Sequence, residues 1–310
     1  MEAKSQKKVN FHVPPKETPT ISEKKITKLK DKQEDVKIVR GHKKSKTIIP
    51  DLSPSDLRYG EYTAQNEKFC SYMEDYILSL NNFNKEAHRH LFCVFDGHGG
   101  AETAKLCVKR YPEIFAKCLT DNPFDYELAI KQSFELMDKE VEALNASEMG
   151  NTATVVFINN KLLYCCNVGD SSCCLITDKK GEFLSIDDKI VTNEKETKRI
   201  KKCGGEVIDE RLNGVLCITR GIGDFDMKTK GLICEPHIAK KLIDHSCKYC
   251  VLASDGVWDA ITPNDAYKIA MELNDPKKIA EKLVEDAMAR GSEDNISCIC
   301  VELNKQILIK

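Results

Sequence analysis

Apolar and polar positions along this chain switch between two periods. The run "LFCVF" (Leu91–Phe95) is short and unbroken, the pattern of a strand covered on both faces. Residues 101–119 and 127–144 instead repeat apolar side chains at helical spacing, and Ile130, Phe134, Met137 and Val141 fall on one face of the second. Four short apolar segments follow, at 152–158, 161–168, 173–177 and 182–186, joined by Asn159-Asn160, "GDSS" and "DKKG". Those connections are hairpin-type turns and predict an antiparallel meander. "FCSYMEDYILSL" (Phe69–Leu80) reads as a strand interrupted by two acids. A polar helix at 193–203 is stopped by Gly204-Gly205, and "EVIDERLNGVLCIT" reads as a hairpin turning at Asn213-Gly214. An apolar run ending at Ser254 is another strand. Thr262-Pro263 and Asp275-Pro276 each open a helix, the second ending near Gly291, and "ISCICVEL" is a closing strand. Hairpin strands interspersed with helix pairs predict an α+β fold, two antiparallel sheets stacked on each other with helices outside.

Charge divides the chain. Residues 1–50 hold 14 Lys and Arg against 6 Asp and Glu; the remaining 260 hold 33 against 43. The first fifty also lack aromatics after Phe11 and show little apolar periodicity. They read as a basic disordered tail, 1–50, on a folded body, 51–310. "GHKKSK" (Gly41–Lys46) is either a nuclear-import or phosphate-contacting patch or plain solvated tail. The acidic body argues against nucleic acid as the main partner. No stretch approaches the roughly 18 apolar residues of a membrane span, and "MEAKSQKKVN" lacks the apolar segment of a secretory signal. The 15 cysteines sit singly or in pairs inside apolar strands. They are expected to be reduced thiols used as small core residues, in the cytosol or nucleus. One of each pair, Cys165-Cys166 and Cys173-Cys174, is expected to face inward. Cys247-x-x-Cys250 beside His245 has half the spacing of a zinc site, but no second pair matches it.

Two apolar runs end alike. "LFCVFDGHGG" delivers Asp96-Gly97, and "CVLASDGVWD" delivers Asp255-Gly256. A carboxylate at the end of a buried strand is costly unless something neutralises it, and the glycine lets the backbone approach a ligand. Glu74-Asp75 and Asp294 add acids at the edges of two further apolar segments, with no arginine offered nearby. Carboxylates gathered without cations repel unless divalent metal holds them. All-oxygen ligation favours Mg²⁺ or Mn²⁺ over zinc, two ions could make a nucleophile of a bridging water, and His98 is placed to protonate a leaving oxygen. Asp-Gly after a strand is also the ordinary signature of a turn, and spacing alone does not prove that the acids converge. "GIGDFD" (Gly221–Asp226) is a poor dinucleotide motif, without a third glycine.

The same stretches, in order, resemble those of the metal-dependent serine/threonine protein phosphatases, the PPM or type 2C family. "YMEDY", "VFDGHGG", "GNTATVVFINNKLLYCCNVGDSS", "NEKETKRIKKCGGEV" with "RLNGVLCITRGIGDFDMK", "LASDGVWD" and "EDNIS" carry the resemblance from about Leu57 to Leu303. It implies a four-layer sandwich, two central antiparallel sheets flanked by helices, and an active enzyme on phosphoserine and phosphothreonine in proteins. It implies two Mg²⁺ or Mn²⁺ ions in an end cleft, with Asp75, Asp96, Asp255 and Asp294 as carboxylate ligands and Gly97 giving a carbonyl. Glu74 would hold a metal-bound water and His98 would be the general acid, with a metal-bridging hydroxide attacking phosphorus in line and no covalent phosphoenzyme. A third, weaker ion falls to "SIDDKIV": Asp187 fits the preceding spacing, Asp188 the following one, and Asp187 is preferred. Family members are usually monomers.

Three stretches depart from the family pattern, one of them "DKI" (Asp188–Ile190) where the family has "HKP". Cys70 stands where many members carry a phosphate-holding arginine, and a thiol cannot supply that bidentate fork; Lys68 is the nearby point charge. Ser172 replaces a second arginine. A lowered Cys70 thiol pKa and sensitivity to oxidation are one consequence to examine. The departures motivate an alternative, a pseudophosphatase scaffold binding phosphoproteins or kinases, and a third reading makes the tail the binding module.

Overall fold

The computed structural model describes residues 56–303, so the predicted tail and its boundary lie outside the described residues. In chain order the strands are β1 (Tyr59–Ala64), β2 (Tyr76–Leu80), β3 (Arg89–Phe95), β4 (Gly97–His98), β5 (Gly150–Asn151), β6 (Ala153–Asn159), β7 (Leu162–Val168), β8 (Ser172–Thr177), β9 (Gly181–Phe183), β10 (Val207–Ile208), β11 (Arg211–Leu212), β12 (Ile222–Gly223), β13 (His237–Leu242), β14 (Cys247–Ala253) and β15 (Ile296–Glu302). The helices are α1 (Glu102–Asp121), α2 (Tyr126–Glu142), α3 (Glu194–Lys202), α4 (Phe225–Lys228), α5 (Asp255–Trp258), α6 (Pro263–Leu273) and α7 (Pro276–Ala289).

Two five-stranded sheets form the centre, ordered β13-β7-β6-β3-β2 and β1-β15-β14-β8-β9, with antiparallel neighbours throughout. Strand periodicity explains the unbroken apolar runs. Phe92 and Val94 point one way from β3, into a core between the sheets shared with Val156, Leu252 and Ile299. Cys93 and Phe95 point the other way, under α1 and α2, against Tyr111, Phe115 and Phe134. The second sheet likewise turns Val251 and Cys300 toward Ala270, Ile279 and Leu283 of α6 and α7. The order is helices, sheet, sheet, helices: the α+β four-layer sandwich expected from the sequence.

Alternation also corrects the cysteine reading. Cys165 and Cys173 lie between the sheets, whereas Cys166 and Cys174 face the two helix layers, so both members of each pair are buried. Cys247 and Cys250 belong to the inter-sheet core, with Cys250 Sγ 3.2 Å from Cys173 Sγ.

Three local expectations change. The "GDSS" link is not a hairpin: β7 and β8 belong to different sheets, so Gly169–Ser171 carries the chain across the sandwich. Within Phe69–Leu80 only Tyr76–Leu80 is strand. The stretch before it is tied down by Asn295, whose Oδ1 accepts the Glu74 N–H at 2.7 Å, rather than by a neighbouring strand. In the hairpin after α3, β10 and β11 turn at Asp209-Glu210, both with positive φ, and Asn213-Gly214 makes the next turn, setting Leu212 opposite Leu216. No helix among the described residues is long and apolar enough to cross a membrane.

Candidate metal centre

Antiparallel pairing gathers the acids. The C-terminal end of one strand lies beside the N-terminal start of its neighbour. Asp96 therefore follows β3 at the edge where Asp75 precedes β2, and Asp255 follows β14 where Asp294 precedes β15. One strand further over, β7 points the same way as β3 and ends at Gly169-Asp170. Asp96, Asp170 and Asp255 each offer a carboxylate oxygen, all within 4.8 Å of one another.

Asp75 is buried beside them. Its Oδ2 accepts from Ser254 Oγ at 2.8 Å, while its Oδ1 has no hydrogen-bond partner. Such an orphaned, buried carboxylate oxygen is what a cation would satisfy. The electrostatics agree. Burial first, and the Asp294 and Asp255 charges after it, push the Asp75 carboxyl up to about 7. Asp170 is pushed to about 8 by burial and Asp255. Asp96 is raised well above its ordinary value, through burial and then the charges of Asp75, Asp255 and Asp170, and Asp255 is raised mainly by burial.

The other expected site residues stand around this group. Glu74 is half-buried; its Oε1 accepts the Gly100 N–H at 2.7 Å, and burial raises its carboxyl. Gly97 lies in β4 and donates its N–H to the Glu74 carbonyl at 3.3 Å. A Cβ on Gly97 would come within 2.9 Å of that same oxygen, so the close approach requires glycine. Asp294 is exposed at the rim, outside the tight group, and its Oδ1 accepts from its neighbour's Asn295 N–H at 2.7 Å. A cavity of about 350 Å³ opens there, lined by Asp255, Asp259, Arg290, Ser292 and Asp294 among others.

The pair Asp187 and Asp188 separates cleanly. Asp188 is fully buried and both its oxygens are engaged, by the Gly169 N–H at 3.0 Å and by His237 Nε2 at 2.8 Å. Asp187 is half-buried and holds its own loop, accepting from the Lys189 N–H and Thr192 Oγ1.

His98 Nε2 sits 2.8 Å from Asp224 Oδ2. Burial works to lower the imidazole pKa, but the Asp224 hydrogen bond and charge outweigh it, so the histidine is raised. Asp224 holds a left-handed φ of 51 between β12 and α4. The chain passes so close to Gly150 that a Cβ there would lie 2.0 Å from Asp224 Oδ2. Cys70 reverses an expectation. Burial, then Asp294, Asp75 and Glu74, raise its thiol pKa instead of lowering it. Its Sγ points to the Glu293 carbonyl at 3.4 Å. Lys68 Nζ lies 4.5 Å from the centre of the Phe69 ring.

Sequence reasoning passed over Asp170, Asp224, Asp259 and Lys189. Asp170 carried the same signal as Asp96, an acid just after an apolar run, but lay in a link read as a turn. Asp224 stood inside "GIGDFD", weighed only as a nucleotide motif. Lys189 Nζ reaches Asp259 Oδ1 at 2.7 Å and Asp255 Oδ2 at 3.3 Å, contacts that need the fold to exist.

Comparison with known proteins identifies this arrangement. The family description "Protein phosphatase 2C" matches residues 62–296. Protein phosphatase 2C homolog 1 of Saccharomyces cerevisiae is 30% identical over 273 residues, which is 81% of this chain and 96% of the yeast protein. Among solved structures, a sex-determining protein of C. elegans superposes with a TM-score of 0.73 at 24% identity, over 83% of this chain and 67% of that one. The serine-threonine phosphatase 2C of Toxoplasma gondii superposes with a TM-score of 0.69 at 20% identity, over 83% of this chain and 98% of that one. At those identities the two structures show the shared fold; the family match and the yeast relative carry the assignment, and the chain belongs to the protein phosphatase 2C family of phosphatases.

Proposed function

We propose that this chain is a Mg²⁺- or Mn²⁺-dependent protein phosphatase acting on phosphoserine and phosphothreonine, as a monomer in the cytosol or nucleus. The observation that carries the reading is the convergence of Asp96, Asp170 and Asp255 around the orphaned Asp75 oxygen. The donor set is all oxygen, which suits hard divalent cations. Asp75, Asp96, Asp255 and Asp294, with the Gly97 carbonyl, would hold two ions. Asp187, half-buried where Asp188 is fully buried, is the acid left for a weaker third ion. Bound there, divalent ions supply charge neutralisation at the phosphoryl oxygens and an activated water.

The chain's own groups do the rest. Glu74, its Oε1 fixed by Gly100, orients water at the mouth with its second oxygen. His98 moves the proton. With Nε2 held by Asp224, Nδ1 is the nitrogen that donates to the departing serine or threonine oxygen. Water attacks phosphorus directly, so no phosphoenzyme forms. Cys70 supplies no guanidinium fork. A scaffold reading gains nothing from this geometry, because the carboxylates a scaffold is free to lose stand together.

The test is phosphate release from a phosphothreonine peptide with Mn²⁺, with Mg²⁺ and with chelator, beside Asp255→Asn. Expected is divalent-dependent turnover that falls by more than about 100-fold in the variant, beyond the loss typical of second-shell changes. Turnover that persists in chelator, or in Asp255→Asn, sinks the reading.

A further inference from the structure

We propose that Lys189 is a tethered counter-cation of the acid cluster: its ammonium occupies the seat between Asp255 and Asp259 and thereby limits how many divalent ions the cleft holds. This rests on the metal-dependent reading above and goes beyond it.

The geometry is specific. Lys189 Nζ lies 2.7 and 2.9 Å from the two oxygens of Asp259, 3.3 Å from Asp255 Oδ2 and 3.9 Å from Asp170 Oδ2. Among the described residues it is the cation within salt-bridge reach of Asp170 and Asp255. Its side chain is only 20% exposed, so the ammonium is drawn into the cleft rather than waving over it. Its backbone is fixed from several sides. The Lys189 N–H donates to Asp187 Oδ1, its carbonyl accepts from Thr192 and Asn193 at the start of α3, and the residue bridges to Ile218. The stem therefore starts from a rigid point and delivers its charge to one place.

That place is where a divalent ion would compete. Mg²⁺ and Mn²⁺ require oxygens at about 2.0–2.2 Å in near-octahedral order. An ammonium within 3 Å of both Asp259 oxygens and against Asp255 occupies the same lone pairs. Asp187, the acid on this flank, is held to the Lys189 backbone, so the residue that bears the competing charge also positions the neighbouring carboxylate. Lysine is a compact point charge with three donors, and three carboxylates stand within its reach. The consequence is a cleft asymmetric in charge. The Asp75 and Asp96 side depends on added cations, while the Asp255 and Asp259 side carries its own.

The test counts Mn²⁺ bound per chain by the loss of the free-ion EPR signal, on the full-length protein. Expected is one additional, weaker Mn²⁺ in Lys189→Met than in wild type. Lys189→Arg, which keeps the charge, holds the wild-type count. The double variant Lys189→Met/Asp259→Asn returns to it, which locates the added ion. Lys189→Gln serves the same purpose should the methionine variant not fold. A Lys189→Met protein that binds no more ions than wild type overturns the proposal while leaving the metal-dependent reading intact. A wild type that takes up no Mn²⁺ fails that reading first, and the proposal with it.

Discussion

Two groups of buried acids lie a few residues apart in this molecule, and they are built in opposite ways. Around α3, Glu196 and Asp188 face Arg199, Arg220 and His237. Arg220 forks onto Glu196 at 2.9 and 3.0 Å, Arg199 reaches it at 2.6 Å, and His237 caps Asp188. At the strand ends stand Asp75, Asp96, Asp170 and Asp255, and among the described residues the ammonium in salt-bridge reach is that of Lys189, at Asp170 and Asp255. Burial bears on both groups, but the outcomes differ. The two arginines hold the Glu196 carboxyl down to about 2, whereas Asp75 and Asp170 rise to about 7 and 8. The first group is closed, with every acid matched by a base inside the chain. The second leaves negative charge to be matched from outside. A perturbed carboxylate alone does not distinguish a site from a structural network, since burial raises the fully partnered Asp188 as well; the supply of partners does.

The two groups touch through one residue. Asp188 takes the Gly169 N–H with one oxygen and His237 with the other, and its carbonyl accepts from Thr219. It thereby holds the link whose next residue is Asp170. Asp188→Ala is the largest break expected in the comparison. Removing one partner from a buried charged network costs about 3–5 kcal/mol, to be read from the shift in denaturant midpoint at unchanged slope. Metal-dependent turnover should fall as well, because the Asp170 turn loses its anchor. A cost under 1 kcal/mol with full turnover would mean that the two groups are independent.

Asp224→Asn probes the open group from its catalytic side. The neutral amide keeps a hydrogen bond to His98 but loses the charge that raises the imidazole. A general acid contributes about 10²–10⁴-fold, so with His98 in the proposed role, losing its charged partner should cost about 10-fold in kcat with KM little changed. The sign of the pH effect follows from the role. An acid works while protonated, so activity falls as pH rises through the histidine's value. With that value lowered, the alkaline limb of the profile moves to lower pH in the variant. An unmoved limb would remove Asp224 from the reaction.

The sandwich was legible in the sequence because its strands are buried on both faces: "LFCVF" cannot be anything but interior, and α1 and α2 repeat with clean helical spacing. Four of the acids could be named because each abuts such a run. The rest was hidden for physical reasons. Gly169–Ser171 has the composition of a tight turn, and only the sheet assignment of β7 and β8 shows that it crosses the sandwich. Lys189 and Asp259 are ordinary charged residues until the Asp188 loop is folded against α5. Asp224 meets His98 from 126 positions away, over a backbone approach that Gly150 permits and a left-handed turn that an aspartate tolerates. Adjacency to an apolar run is local and can be read directly; pairing between loops cannot.

Titration of Glu196 sharpens the comparison most directly, because it isolates the closed group. Glu196 has its folded value depressed to about 2, from an ordinary value of 4.5. A carboxyl depressed in the folded state stabilises it fully above the unfolded value and loses that contribution as pH falls through the folded one. Stability should therefore be level in this respect above about pH 5 and decline between about 4.5 and 2. Glu196→Gln cannot titrate, so its stability will be lower at neutral pH and its decline over that window shallower, the two curves converging near pH 2. Urea denaturation at steps across the window, with chelator present throughout so that ion release from the other acids adds no slope, measures the difference. Parallel curves would show that the Arg199 and Arg220 contacts do not depend on the Glu196 charge, and would place the closed group with ordinary surface pairs, where an ion pair is worth roughly 0–1 kcal/mol.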